Sequence, residues 1–569
     1  MIDMTNMADM ANLRLADLIR HAAQRTPEAL AVADPSNPAN QTAQQTTYAE
    51  LWQQTGQFAQ ALAMLGLMPG ERVAVYLEKR LETVVACFGA AHAGMLFVPV
   101  NPVLRAEQVS HILQDCAVTV LVTSAARLSS LESVLANCPA LRHIVLVDAP
   151  AASPLPAPHP VLHCWSALLK AAALSPRAVL AEPTFSTTPL GQPTNTHPAA
   201  IFYTSGSTGR PKGVVISHRN FILGAQSVAQ YLDNRADDRL LAALPLSFDA
   251  GFSQLTTAFS VGACVVLHNY LLPRDLVRSL QTERITGLTA VPPLYIQLAR
   301  IDWPADRANT LRYFATTGGR MPGNTLTHLR QKMPQAKPFL MYGLTEAFRS
   351  TYLPPDEVDR RPDSIGRAIP HAEVLVLRSD GTPCAADEPG ELVHRGPLVT
   401  LGYWNNPAAT AERFKPLPPH FHPSPDELAV FSGDTVRRDA EGFLYFVGRR
   451  DEMIKTSGYR VSPMEIEEVL YAQPLVAECA AFGLPHETLG EAIHVVVALN
   501  TNLDKPTEDA RTELLAACRQ HLPPYMVPTT LTLQTAALPR NANGKIDRAT
   551  LRAQLTSALT ACAEKPAAS

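Results

Sequence analysis

The sequence predicts an α/β protein in two parts. A large N-terminal domain, residues 1–450, would carry mainly parallel sheets covered by helices plus a β-rich subdomain; residues 451–569 would form a small mobile α+β domain. Three observations carry this reading. Apolar runs of strand length alternate with stretches of helical period through residues 47–123 and again through 240–342, the pattern of parallel strands joined by crossover helices. Turn signals at Asp380-Gly381 and Glu388-Pro389-Gly390 then punctuate a strand-rich stretch, 373–445. Finally, 569 residues exceed what one hydrophobic core serves.

The elements follow in chain order. Thr47-x-x-Glu50 is a capping box, with Leu51, Phe58, Leu62 and Leu65 at helical spacing before Gly66 stops the helix. Then come strand 72–77, helix 81–93, strand 96–100, helix 105–114 and strand 118–123. Residues 149–198, rich in Pro, Ala and Thr, read as a surface excursion with one short helix near 165–173 and no chemistry. The alternation resumes through 240–266, 285–299 and 311–342. After Gly448-Arg449-Arg450-Asp451 the pattern changes: a helix opens at Pro463, strands follow at 476–482 and 492–499, and a Pro-rich link at 522–528 leads to a closing LPRNANGKIDRATL.

Composition narrows the function. Lys and Arg total 48 against 52 Asp and Glu, a net charge of −4, which gives no reason to expect nucleic acid. Nine scattered cysteines without a C-x-x-C pair argue against zinc or a disulfide framework and for a reducing cytoplasm. The first ten residues show no signal peptide. The long uncharged run 83–104 holds Gly, His92, Asn101 and two prolines, so it reads as a buried helix and strand, not a membrane span.

The chemistry centres on Thr204–Gly213, TSGSTGRPKG, between two apolar strands, 200–203 and 213–216. A loop so poor in side chains lets backbone N–H groups and hydroxyls crowd an anion, and Lys212 adds a positive charge. It is not a Walker A loop, since Pro211 stands where the second Gly is needed. A flexible linker is the alternative. In parallel sheets such a loop lies beyond the carboxyl ends of the strands, where ligands bind.

Four further stretches occur in order: YGLTE at 342–346, SGD at 432–434, GRRDEMIKTSGYRVSPMEIE at 448–467 and PRNANGK at 539–545. With the loop, they resemble the AMP-forming adenylating superfamily of acyl-CoA synthetases, nonribosomal peptide synthetase adenylation domains and beetle luciferases. The stretches beginning at Tyr76, Ser227 and Tyr342 look most like acyl-CoA ligases associated with bacterial exosortase A systems.

The resemblance implies roles. Thr204, Ser205, Gly206, Ser207, Thr208, Gly209 and Lys212 would hold the β- and γ-phosphates of ATP. Thr345 would touch the α-phosphate, and Glu346 would hold Mg²⁺. Gly318 and Gly319 would admit the adenine, Tyr342 and Gly343 would flank it, Asp434 would bind the ribose, and Arg449 would reach ribose or phosphate oxygens. Lys545 would bridge the substrate carboxylate and α-phosphate, Asp451 would be the hinge, and Gly458, Tyr459 and Arg460 would meet the thiol. Taken singly, Glu346 reads equally as a surface carboxylate, Asp434 as a turn residue and Lys545 as an exposed lysine.

On the acyl side, Phe248-Asp249 resembles amino-acid-activating domains, where the Asp pairs with an ammonium; Asp249 reads equally as a cap on a helix starting at Ala250. Ala250, Ser253, Thr317, Met341, Arg349 and Ser350 are the further pocket candidates, and Arg349 would pair with a second acidic group or with Asp249 itself. The expected activity is ATP-dependent ligation of a small carboxylic acid to CoA or a carrier-protein phosphopantetheine; amino-acid loading of a separate carrier is the alternative. A luciferase-like oxidase and a non-catalytic nucleotide module are the more distant readings. About 24 residues follow Lys545, too few for a carrier domain.

Overall fold

The computed structural model describes residues 13–35, 44–148, 160–175, 194–204, 211–304, 310–450, 452–456, 459–486, 488–500, 507–541 and 545–563. Seven strands form one sheet in the order 161–164, 143–146, 120–123, 72–76, 96–99, 198–204, 212–217. All neighbours are parallel except the last pair, strands 198–204 and 212–217, which are antiparallel. Its strands read VAV, LVT and HIVL with both faces buried, as a sheet covered on both sides requires.

A second sheet of 14 strands holds the rest of the domain. Its parallel part runs 337–343, 313–316, 287–290, 239–242, 264–267, 30–34. From 349–353 outward the pairing turns antiparallel, through 364–368 and 444–449 to 429–438, 390–395 and 373–377. The β-rich subdomain is thus an outgrowth of the second sheet, beginning earlier than the turn signals indicate. The stretch 149–198 also differs from expectation. Val161–Cys164 is an edge strand of the first sheet, continued by helix Trp165–Leu174 whose Trp165 ring stacks on Phe58.

Buried helices separate the two sheets. The capping box at Thr47 is present, with Glu50 N–H donating to Thr47 Oγ1 and Thr47 N–H to Glu50 Oε2. Phe88, Phe97, Phe202, Phe221 and Phe252 pack ring against ring where the helices meet the strands. Among the described residues no helix is long and apolar enough to cross a membrane. The smaller unit has five strands in the order 459–461, 454–456, 490–499, 476–486, with 530–534 beside 490–499, and its own core around Ile466, Leu470, Val495 and Leu514.

Helix Asp249–Val261 is buried along nearly its whole length, and it approaches the preceding turn so closely that only Gly fits at 251. A Cβ there would stand 1.8 Å from the Pro245 carbonyl oxygen. Gly251→Ala is expected to destabilise the fold by roughly 1–3 kcal/mol through overpacking. A lowered unfolding midpoint checks this; an unchanged midpoint would mean that the helix has room to move.

Candidate active site

The parallel strands of the second sheet deliver the site residues at their carboxyl ends. Strand 239–242 leads to Asp249, strand 313–316 to Thr317, Gly318 and Gly319, and strand 337–343 to Thr345 and Glu346. Because these strands are neighbours or near neighbours, residues distant in sequence meet at one edge. Thr345 Oγ1 donates to Asp249 Oδ1 at 3.2 Å.

The turn holding Thr345 and Glu346 is a single 3₁₀ turn, Thr345–Ala347, closed by Leu344 N–H donating to the Phe348 carbonyl. Phe348 sits at φ 57, a conformation that a non-glycine residue holds only when its surroundings force it. Its ring fills the space above Gly224, where a Cβ would come within 2.7 Å of it. Gly343 is required for another reason: a Cβ there would be 2.7 Å from Arg349 Cα and the Phe348 carbonyl oxygen.

On the nucleoside side, Asp434 is only 7% exposed. It accepts hydrogen bonds from Arg449 Nε at 2.9 Å and from the Tyr342 hydroxyl. Tyr342 lies parallel to His394 and near Phe446, and burial beside the Asp434 charge raises its phenol well above the ordinary value. Asp434 N–H donates to Ser432 Oγ at 3.1 Å, which fixes the backbone from which the carboxylate projects. Gly318, at φ +79, leaves room for Lys545, whose Cε would lie 3.5 Å from any Cβ placed there.

On the phosphate side, Ser205, Gly206, Ser207, Thr208 and Gly209 lie outside the described residues; the loop's ends are Thr204 and Lys212. Thr204 Oγ1 reaches the Lys212 carbonyl at 3.5 Å. The Lys212 ammonium stands 5.5 Å from the centre of the Tyr403 ring, and Tyr403 Oη donates to Glu346 Oε1 at 2.6 Å. Thr400 holds the Glu346 backbone carbonyl through both its N–H and its hydroxyl, each at 2.9 Å. The segment reaches the loop by pairing with strand 212–217: Val215 N–H donates to the Gly402 carbonyl and Trp404 N–H to the Gly213 carbonyl.

Sequence reasoning missed Thr400 and Tyr403, and the only local sign is an aromatic pair after Gly402. Tyr403→Phe removes the hydrogen bond that aims Glu346 and keeps the ring under Lys212. One such bond contributes roughly 1 kcal/mol, so kcat/KM should fall about fivefold, with a raised magnesium requirement. A magnesium titration at fixed ATP checks this; an unmoved requirement would detach Tyr403 from Glu346's role.

Lys545 closes the cleft from the smaller unit. Asn541 grips it twice, with Asn541 N–H donating to the Lys545 carbonyl at 2.8 Å and Lys545 N–H to Asn541 Oδ1 at 3.1 Å. Asp547 caps the helix that follows through Thr550. The side chain is crowded by protein atoms while the residue as a whole stays open to solvent. Crowding, then the Arg449 charge, lowers the ammonium pKa, opposed by Asp249, Glu452 and Asp434.

Polar contacts dock the smaller unit. Arg320 pairs with Glu468 at 2.8 Å, Asn324 Nδ2 donates to the Tyr471 carbonyl, and Arg300 Nη2 donates to the Val476 and Ala477 carbonyls. Exposed pairs of this kind contribute at most about 1 kcal/mol each.

On the acyl side, the helix does not start at Ala250 as a capping Asp249 would require. Phe248 is the N-cap, without a side-chain bond, and Asp249 is the first helical residue. Burial raises the Asp249 carboxyl's pKa, against the opposing pull of Arg349, Thr345 and Lys545. Arg349 is 3% exposed; Nη1 donates to Ser253 Oγ at 3.0 Å and Nη2 to the Ala250 carbonyl at 3.3 Å. Thr317 and Ser350 are buried. Met341 belongs to the hydrophobic core, where its Sδ accepts from the Tyr231 hydroxyl at 3.0 Å.

Asp451 and Gly458 lie outside the described residues. Tyr459, 53% exposed, stacks on Tyr525 of the same unit at 4.0 Å; Arg460 lies on the strand Tyr459–Val461. Among the described residues no group of three or more His, Cys, Asp and Glu could hold a metal. The lone Glu346 carboxylate fits a magnesium ion that takes most of its ligands from phosphate and water.

Over 553 residues the chain is 30% identical to the L-proline–[L-prolyl-carrier protein] ligase of Pseudomonas fluorescens, covering 95% of this chain and 99% of that one. It is 31% identical to the long-chain-fatty-acid–CoA ligase of Yersinia pestis over 89% of each. It is also 30% identical, over 96% of its own length, to a linear gramicidin synthase of Brevibacillus parabrevis, but spans only 6% of that protein. The solved anthranilate CoA ligase AuaEII, in complex with anthranoyl-AMP, shares the fold with TM-score 0.82 at 23% identity, over 96% of this chain and 98% of that one. The AMP-binding enzyme profile matches residues 19–404 and that of the AMP-binding enzyme C-terminal domain matches residues 465–545; the chain belongs to the AMP-binding enzyme family.

Proposed function

We propose that the chain is an ATP-dependent, AMP-forming acid–thiol ligase, and that one observation carries this: Lys545, from the far end of the sequence, stands against Gly318 and within electrostatic reach of Asp249, Asp434 and Arg449. A carboxylate cannot expel oxide. Its oxygen attacks the α-phosphorus of ATP, the bond to pyrophosphate breaks, and an acyl-adenylate forms; a thiol then attacks the carbonyl and AMP leaves. The first step asks the protein for placement and charge stabilisation more than for covalent chemistry.

In this reading Lys212 and the loop from Thr204 hold the β- and γ-phosphates. Thr345 and Lys545 face the α-phosphate, and Asp434, with Arg449 and Tyr342, receives the ribose. Glu346, steadied by Tyr403 and Thr400, would hold magnesium, which supplies charge neutralisation when bound. The docked pose serves adenylation. Movement of the smaller unit about Asp451 would withdraw Lys545 and bring Gly458, Tyr459 and Arg460 to the thiol. The weak polar docking contacts support such movement.

The acceptor is CoA or the phosphopantetheine of a separate carrier protein. A second reading, amino-acid loading of a carrier, is favoured by Asp249 at the acyl site and by the likeness to the proline–carrier ligase. Cys87, Cys116, Cys138, Cys264, Cys384, Cys479 and Cys518 form no disulfide, which supports a reducing cytoplasm. The kinship with exosortase A-associated ligases stays an expectation from sequence. Pyrophosphate release across fatty, aryl, hydroxy and amino acids, with and without CoA, tests the function. Acid-dependent release is expected, and its absence for every acid would overturn the reading.

A further inference from the structure

Arg349 is a charge without a charged partner. Its guanidinium is buried, and its hydrogen bonds run to neutral oxygens: Ser253 Oγ, the longer contact with the Ala250 carbonyl, and the neighbouring Tyr231 hydroxyl. Its Nε is buried with no hydrogen-bond partner. Among the described residues no carboxylate forms an ion pair with it, and Asp249 acts on it only through space. Burying a cation this way is costly unless something compensates it.

The surroundings point the same way. Arg349 lines a cavity of ≈ 10 Å³ with Ser253, Gln254 and Thr257, just enough for a single water. Gln254 Oε1 and Thr257 Oγ1 are also buried without partners, as is the nearby Ser350 Oγ. Residues 250, 253, 254 and 257 share one face of helix Asp249–Val261, so these groups form a polar stripe leading inward from Asp249. Leu240 and Tyr313 close the far end, with Tyr313 held by Asn234 and seated over Gly287, where a Cβ would be 2.4 Å from its ring.

Resting on the ligase reading above, we propose that the acid this enzyme activates is a short α,ω-dicarboxylic acid: one carboxylate at Lys545 for adenylation, an oxygen of the other in the water-sized cavity beside Arg349. Asp249, which acts on Lys545, and Ser253, which accepts from Arg349, are four residues apart on the helix, about 6 Å along it, which suits a tether of about two to four methylenes. Charge supports the choice. Arg349 forms no ion pair with a carboxylate among the described residues, so a second substrate carboxylate there balances a buried cation, whereas a substrate ammonium would add to it.

The test is ATP–pyrophosphate exchange with matched acids: succinate against butyrate, glutarate against valerate, adipate against hexanoate, with proline, alanine and 3-hydroxybutyrate alongside. The parent enzyme should favour one dicarboxylate over its monoacid partner by about 10- to 100-fold in kcat/KM, the range of a hydrogen-bonded charge pair. In Arg349→Gln that ratio should fall toward one, mainly through KM for the diacid, in a protein whose ATP affinity and unfolding midpoint certify folding. A preference for monoacids, hydroxy acids or amino acids in the parent overturns the proposal and leaves the ligase standing; so does an unmoved ratio in the variant. If Arg349→Gln does not fold, the parent's own preference decides. If no acid supports exchange, the ligase reading itself falls.

Discussion

Lys545→Ala is expected to lower acyl-adenylate formation by about 10²–10³-fold, the usual loss when one donor aimed at developing charge is removed, while transfer from a supplied adenylate to a thiol persists. The asymmetry follows from placement. Lys545 reaches the cleft only because the smaller unit is docked, through Arg320, Asn324 and Arg300. Its chemistry belongs to the pose in which the α-phosphorus is attacked. Single-turnover measurement of the two half-reactions separates the effects, and equal losses in both would sink the assignment. The ammonium must be charged to act, and crowding and Arg449 lower its pKa. The charged form is therefore lost, as pH rises, earlier than for an ordinary lysine, and adenylation should show an alkaline limb below the ordinary lysine range. Lys545→Arg should move that limb upward out of reach, at a reduced rate.

Much of this was legible in sequence where the signal is local. The capping box at Thr47, the strand–helix alternation from Arg72 to Thr123 and the helix opening at Pro463 depend on neighbours a few residues away, and each stands where expected. The ordered motifs name Thr345, Asp434 and Lys545, and the structure sets Lys545 within electrostatic reach of Asp434 and of Asp249, to which Thr345 donates. Long-range pairing was not legible. Val161–Cys164 is a partly exposed edge strand of only four residues, too short to announce itself amid proline-rich flanks. Tyr403 and Thr400 reach Glu346 because the 400–404 segment lies along strand 212–217, nearly two hundred residues earlier. Asp249 looked like a cap because the start of a helix cannot be fixed to one residue from propensity. The burial of Arg349 comes from packing between the helix and strand 349–353.

The second large effect is expected at Asp434. Its two oxygens take hydrogen bonds from Arg449 and Tyr342, so the carboxylate is already aimed before nucleotide arrives and needs little reorganisation to receive a ribose. Asp434→Ala removes the acceptor shared by the Tyr342 hydroxyl and Arg449 Nε. A hydrogen bond to a charged group contributes about 1.5–3 kcal/mol, so KM for ATP should rise roughly 10- to 150-fold. The change should sit in KM more than in kcat, because the ribose is held alike before and during the reaction. Asp434→Asn keeps one acceptor oxygen and should fall between parent and alanine. Tyr342→Phe keeps both the ring and the carboxylate and should disturb ATP far less. Should the alanine variant instead raise KM for the acid while leaving ATP untouched, Asp434 would belong to the acyl side, and the orientation of the nucleotide across the sheet edge would have to be reversed.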